Sequence, residues 1–172
     1  MKNLLISIIS LNLFLLSCSK DESGPDHLDP EPELTFTVED LDGNTFVDNQ
    51  LLEFSSLEYP DASFGFKVRN TSLETIGMRI EVENISGTDG SMMELCFGEC
   101  YFGVTTGTSY PLSPSIVNID PGQTQASSGD HFFNMDAGDG NTAVEYTFKF
   151  YTSENGEQVG DDFRLKYRYS QN

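Results

Sequence analysis

Three separate runs of this chain alternate with a strict period of two, and that pattern leaves little room for anything but β-structure. In Phe64-Gly65-Phe66-Lys67-Val68-Arg69, Met78-Arg79-Ile80-Glu81-Val82-Glu83 and Phe163-Arg164-Leu165-Lys166-Tyr167-Arg168-Tyr169, every second side chain is apolar and most of the others are charged. Successive side chains of a strand point to opposite faces, so each run has one core face and one wet face. No window of comparable length carries helical spacing. Strands are expected at Leu34–Glu39, Gln50–Phe54, Ser63–Asn70, Ile76–Ile85, Met92–Phe97, Ser115–Ile119, Gln123–Asn134, Ala143–Thr152 and Asp162–Tyr169. The segments between them carry turn chemistry. Asp120-Pro121-Gly122 fits a type II turn, and Asn155-Gly156 is a two-residue hairpin signal. About 8–9 strands within residues 34–172 indicate an all-β fold, an antiparallel β-sandwich large enough to bury roughly two thirds of its surface.

Charge narrows the function. The 172 residues hold 9 Lys and Arg against 28 Asp and Glu, a formal net charge of −19, which excludes nucleic acid as the default partner. Hydrophobic residues at 37%, with 13 Phe and 7 Tyr, exclude a disordered acidic chain. The basic residues of the domain, Lys67, Arg69, Arg79, Lys149, Arg164, Lys166 and Arg168, all lie in strand patterns. They read either as a recognition stripe or as a cross-strand ladder with Glu81, Glu83 and Glu145, and the ladder is favoured because such pairs are common in sheets.

The N-terminus reads as an address. Lys2 precedes an apolar run from Leu4 to Leu16, too short to span a bilayer, and Leu15-Leu16-Ser17-Cys18 closes it. That ending resembles a bacterial lipobox, which makes residues 1–17 a signal peptide and Cys18 a lipid attachment point. The expected partner membrane is reached through acyl chains, each buried methylene contributing about 0.8 kcal/mol. Ser19-Lys20-Asp21-Glu22 looks like the short acidic signal that carries lipoproteins of Bacteroidota to the cell surface. Residues 18–33, with Pro25, Pro30 and Pro32 among acidic residues, read as an extended tether. The folded domain is expected over 34–172.

Cys96 and Cys100 remain once Cys18 is assigned to lipid. In an exported protein, two cysteines four apart are expected to form a disulfide across a turn with Gly98 at its apex, contributing about 2 kcal/mol. A redox pair would favour Cys-x-x-Cys, and zinc would need two more ligands, with only His27 and His131 in the chain. Asp40-Leu41-Asp42-Gly43-Asn44 begins like a calcium loop, but its twelfth position is Leu51 rather than Glu. Asp136, Asp139 and Asn141 form a second oxygen-rich turn, and turn chemistry accounts for both. No metal and no cofactor is therefore expected. His-Glu-x-x-His, Gly-x-Ser-x-Gly and glycine-rich phosphate loops are all missing, and His131 beside Phe132 and Phe133 reads as structural, so no enzymatic activity is expected. Tyr101, Phe102 and Tyr110, around the Gly- and Thr-rich segment 103–109, form a candidate ligand-binding patch; the competing reading packs these rings beneath their own loop.

Arg69-Asn70-Thr71-Ser72, Cys96-Phe97-Gly98-Glu99-Cys100-Tyr101 and Ile119-Asp120-Pro121-Gly122-Gln123, with the lipobox and tether, resemble a group of Bacteroidota envelope lipoproteins. The resemblance spans most of residues 62–169, with Phe97 where those proteins often have Trp. It implies an immunoglobulin-like sandwich, a disulfide in the Cys-x-Gly-x-Cys-Tyr turn and an outer-membrane location, and it implies no activity. The expected function is a non-enzymatic, surface-displayed binding or adhesion module for a protein or glycan partner; the alternative is an accessory subunit of an outer-membrane secretion or import complex. Replacing Cys18→Ser is expected to abolish incorporation of labelled palmitate and to shift the protein from the membrane to the soluble fraction; palmitate labelling that survives the substitution would exclude Cys18 as the anchor.

Overall fold

The computed structural model describes residues 34–171; Cys18 and the tether lie outside them. In chain order the strands are β1 (Phe36–Glu39), β2 (Gln50–Phe54), β3 (Ser63–Gly65), β4 (Lys67–Asn70), β5 (Ile76–Ser86), β6 (Met93–Phe97), β7 (Glu99–Phe102), β8 (Ser109–Tyr110), β9 (Val117–Ile119), β10 (His131–Asn134), β11 (Val144–Glu154) and β12 (Glu157–Tyr169), and no helix occurs among the described residues. They build the expected all-β, immunoglobulin-like sandwich. One layer is the sheet β2-β12-β11-β5-β8, with β9 also paired to β5; the other is β3-β10-β6-β7, extended by the β1-β4 pair.

Three features depart from the expected strands and their pairing. The run 63–70 is interrupted at Phe66, so that β3 pairs with β10 and β4 with β1. The run 123–134 pairs beside it at both ends but loops out between them, leaving a gap in the ladder. The Gln125 amide fills that gap: Val68 N donates to Oε1 at 2.6 Å, and Nε2 donates to Phe66 O at 3.1 Å. The Phe66 N–H donates onward to Asp130 O at 3.2 Å, where β10 resumes. A side-chain amide thus stands in for a peptide group, which satisfies buried backbone that a loop would otherwise orphan. The third departure is β2, which joins β12 in parallel although an antiparallel neighbour was expected. Turn chemistry behaves as read. Gly122 has φ +71° with Gln123 N donating to Asp120 O, and Asn155 and Gly156 have φ +53° and +88° between β11 and β12.

The core is aromatic. Inward residues of β11 and β12, among them Tyr146, Phe148, Phe150, Phe163 and Tyr167, meet Phe36, Phe66, Leu95 and Phe132 of the opposite layer, all buried. Phe132 stacks on Phe148 with ring centroids 3.8 Å apart, while Phe66 lies 4.7 Å from Phe132 and meets Phe150 edge-on at 5.3 Å. Buried tyrosines keep their hydroxyls partnered: Tyr167 donates to Ala62 O at 3.0 Å and Tyr146 to Asn134 Oδ1 at 3.2 Å.

The wet face of the larger sheet carries the expected ladder. Lys149 pairs with Glu81 at 2.6 Å, Arg164 with Glu83 at 2.8 Å and also with Asp162, and Arg168 with Glu145 at 2.6 Å and Glu53 at 3.6 Å. The Arg164 guanidinium holds the Glu83 carboxyl below its usual range. Partly exposed pairs of this kind contribute roughly 0.2–1 kcal/mol each. Replacing Gln125→Leu keeps volume but leaves Phe66 O and Val68 N without partners, so a loss of about 2–4 kcal/mol is expected in denaturant unfolding; a change below roughly 0.5 kcal/mol would show that the amide does not bridge the strands.

Candidate functional site

The end of the sandwich that the cysteines mark is built from a two-stranded hairpin and a loop clasped between it and β5. In the β6–β7 hairpin Cys96 lies directly opposite Cys100 and Phe97 opposite Glu99, with Gly98 at φ +70° making the reversal. Cys96 and Cys100 form the expected disulfide, joining neighbouring strands of the hairpin at positions whose Cα atoms are 4.0 Å apart. The turn is held from below by Asp130, whose Oδ1 accepts from Gly98 N at 2.9 Å.

The hairpin grips the loop that follows it. Glu99 accepts hydrogen bonds from the Tyr101 hydroxyl at 2.6 Å and from Ser115 Oγ at 3.0 Å, and these donors hold its carboxyl below the usual range. The Tyr101 oxygen in turn accepts from Leu112 N at 2.9 Å. From the other side Arg79 on β5 donates to Pro111 O at 2.6 Å through Nη2 and at 3.2 Å through Nε, and to Ser109 O at 3.3 Å. Segment 103–109 folds back on the sheet: Gly107 N donates to Val82 O, Val82 N to Thr108 O, and β8 pairs with β5.

The three aromatic candidates consequently part company. Tyr101 and Tyr110 pack against one another with centroids 4.9 Å apart, and Tyr110 is buried in the core. Burial raises the pKa of both phenols. Phe102 alone stays outside, 69% exposed, on the edge strand β7. Arg79 is the residue the sequence pattern hid. It sits in a strictly alternating run and resembles a ladder residue, but its cross-strand neighbour is Tyr151 rather than an acid.

The remaining candidates use their polar atoms internally. Asp40 Oδ1 accepts from Asp42 N and Asn44 N at 2.9 and 2.8 Å, and its Oδ2 accepts from Asn44 Nδ2; the Asn44 side chain is the main cause that lowers the Asp40 pKa. Asp139 Oδ1 accepts from Asn141 N and Thr142 N, and Asp136 from Gly138 N and the Thr88 hydroxyl. His131 Nδ1 donates to Gly129 O at 2.6 Å, and its Nε2 lies 3.7 Å from Glu94. Glu94 stands beside Cys96 and Cys100, but both sulfurs are consumed by the disulfide and offer no thiolate to a metal.

No family model matches the sequence, and no curated protein matches it. Among solved structures, the chain is similar to the N-terminal domain of PorA, at 16% identity and a TM-score of 0.45, covering 78% of this chain and 96% of that one. It is also similar to the CooA pilin subunit from enterotoxigenic Escherichia coli, at 10% identity and a TM-score of 0.36, covering 81% of this chain and 99% of that one. Neither likeness bears on what the site binds.

Asp130 supports the turn at a cost. It is 3% exposed, its Oδ2 has no partner, and burial pushes its carboxyl above the usual range against the Gly98 N–H that lowers it. The folded state therefore keeps a proton that the unfolded chain releases near pH 3.9. The stabilising contribution is complete below that pH and is lost as pH rises through the folded value. Asp130→Asn retains an acceptor for Gly98 N and removes the buried charge. Its melting temperature is expected to exceed the parent's at pH 7 and to converge with it near pH 3; a lower melting temperature at pH 7 would show that the buried charge does not destabilise the turn.

Proposed function

We propose that this chain is a non-enzymatic envelope lipoprotein, anchored through Cys18 and displayed on the cell surface, whose sandwich is a binding module for a protein partner. The observation that carries this reading is Phe102. An aromatic ring 69% exposed sits on a hairpin stapled by the Cys96–Cys100 disulfide, at the open edge of its sheet. The tight turn, the disulfide and the Tyr101–Glu99–Ser115 network hold the strand in place, so the ring is presented without the conformational cost of ordering a loop. Met92 and Leu112, both partly exposed, border the same hairpin: Gly103 N bonds to Met93 O, and Leu112 N to the Tyr101 hydroxyl. A rigid aromatic anchor beside free backbone groups suits an extended segment added along the edge of β7.

The reading is tested in intact cells with a photo-crosslinking phenylalanine at position 102 and a control at Leu73, which is 94% exposed on a turn. A discrete crosslinked protein from position 102 and none from 73 is expected, together with removal of the domain by external protease. Equal capture at both positions would overturn the Phe102 surface, and protection from protease would overturn surface display.

A further inference from the structure

The outer face of the smaller sheet gathers four side chains of metal-ligating type. Cys100 on β7 lies opposite Cys96 on β6, and Cys96 lies opposite His131 on β10, so the three share one row and one face. Glu94, two residues before Cys96, projects from the same face. Ligand atoms of Glu94, Cys96 and Cys100 lie within 4.8 Å of one another. Cys96 Sγ is 3.9 Å from Glu94 Oε1, and His131 Nε2 is 3.7 Å from Glu94 Oε2. Around a tetrahedral zinc ion, donors bonded at about 2.0–2.3 Å stand roughly 3.3–3.8 Å apart, so modest side-chain rotations bring this set onto one ion.

His131 supplies an independent observation. Its Nδ1 lies 2.6 Å from Gly129 O, which can only accept, so Nδ1 carries a proton. In the neutral ring the lone pair therefore sits on Nε2, and Nε2 and the Glu94 carboxylate face each other as two acceptors. An imidazole tied through Nδ1–H to a backbone carbonyl, with Nε2 free, is the arrangement that orients histidine on a metal. The strands β3, β10, β6 and β7 contain no Lys or Arg, so none of them supplies a cation to this cluster. Cys100 is exposed, and the Glu94 and His131 side chains are 33% and 22% exposed, so the cluster is reached from solvent.

We propose that, once a dithiol reductant opens the Cys96–Cys100 disulfide, the two thiolates bind one zinc ion together with Glu94 and His131, and the metal replaces the disulfide as the link between β6 and β7. Cys100 is exposed and Cys96 is buried, so the reductant's thiolate bonds to Cys100 Sγ, the S–S bond breaks and Cys96 leaves as a thiolate. The reductant's second thiol then displaces Cys100 and forms the reductant's own disulfide; two electrons pass from the reductant to the protein. Zinc binding changes no oxidation state and releases the thiol protons to solvent. Two thiolates, an imidazole and a carboxylate suit zinc, whereas calcium and magnesium take oxygen donors. The proposal goes beyond the binding-module reading, because its ligand is a metal ion and its donors do not include Phe102.

The test uses the full chain in detergent carrying Cys18→Ser, so that Cys96 and Cys100 are its only cysteines. It is reduced with a dithiol, freed of reductant without air and titrated with Co²⁺ as a spectroscopic probe, then with Zn²⁺. The reduced chain is expected to take up one equivalent of Co²⁺ with the absorption of a tetrahedral thiolate site, and zinc is expected to displace it with a Kd of about 1 μM or tighter. The oxidised chain is expected to give no such spectrum. Glu94→Gln and His131→Gln are each expected to weaken zinc binding roughly tenfold or more, measured on variants whose oxidised forms still unfold cooperatively. No cobalt spectrum from the reduced chain, the same spectrum from the oxidised chain, or a zinc affinity unchanged by either substitution would each overturn the assignment. Metal binding is read on the purified chain without a partner, so this proposal and the binding-module reading can fail separately.

Discussion

The contact between Phe132 and Phe148 lies at the centre of the packing between the two layers of this protein. It joins a four-residue strand, β10, to the long β11, with Phe66 and Phe150 closing the cluster on either side. The Phe132 and Phe148 rings lie nearly parallel at close contact, and the edge-on Phe66–Phe150 pair beside them adds about 0.5–1.5 kcal/mol beyond the area it buries. The geometry explains why β10 is placed so strictly. If its register slipped by one residue, Phe132 would face water and His131 or Phe133 would enter the core. The interruption at Phe66, the Gln125 bridge and the Asp130 turn all serve to bring β3, β4 and β10 into line with that stack.

Electrostatics divides between the sheet and its margins. On the wet face of the larger sheet, positive and negative side chains alternate across β5, β11, β12 and β2 and neutralise one another locally. The surplus of acid is carried mainly by turns such as Asp40–Asn44 and Asp136–Asn141, whose carboxylates cap backbone N–H groups within the same turn. The negative charge of the domain is thus a by-product of turn chemistry as well as a source of solubility. Among the described residues Arg79 has no carboxylate within 4 Å and donates instead to the Pro111 and Ser109 carbonyls.

Elements governed by local rules could be read from the sequence, and those governed by tertiary closure could not. Strict alternation placed the inward faces of β4, β5 and β12 and suggested a charge ladder with Glu81, Glu83 and Glu145; which base meets which acid (Lys149–Glu81, Arg164–Glu83, Arg168–Glu145) follows only from the register. Gly122 and Asn155-Gly156 were legible because their backbone conformations demand those residue types. The break at Phe66 carries no signal, since its cause is a glutamine 59 residues away. The parallel alignment of β2 with β12 was equally hidden, because periodicity does not encode direction. At the site, the spacing of Cys96 and Cys100 announced the staple. Separating Phe102 from Tyr101 and Tyr110 required knowing where segment 103–112 closes, and Arg79 looked like one more ladder residue until its register against Tyr151 was known.

The parallel alignment of β2 with β12 has a consequence for the order in which the molecule is made. Residues 157–169 form an interior strand, hydrogen-bonded on one side to β11 and on the other to β2, more than a hundred residues earlier in the chain. Until those residues emerge, β2 has no partner, and Tyr146, Phe148 and Phe150 lack half of their neighbours in the sheet. The smaller sheet and the β1-β4 pair need none of these residues, but the larger sheet does. The larger sheet closes only when this last strand is present, a long-range closure of the kind that slows folding.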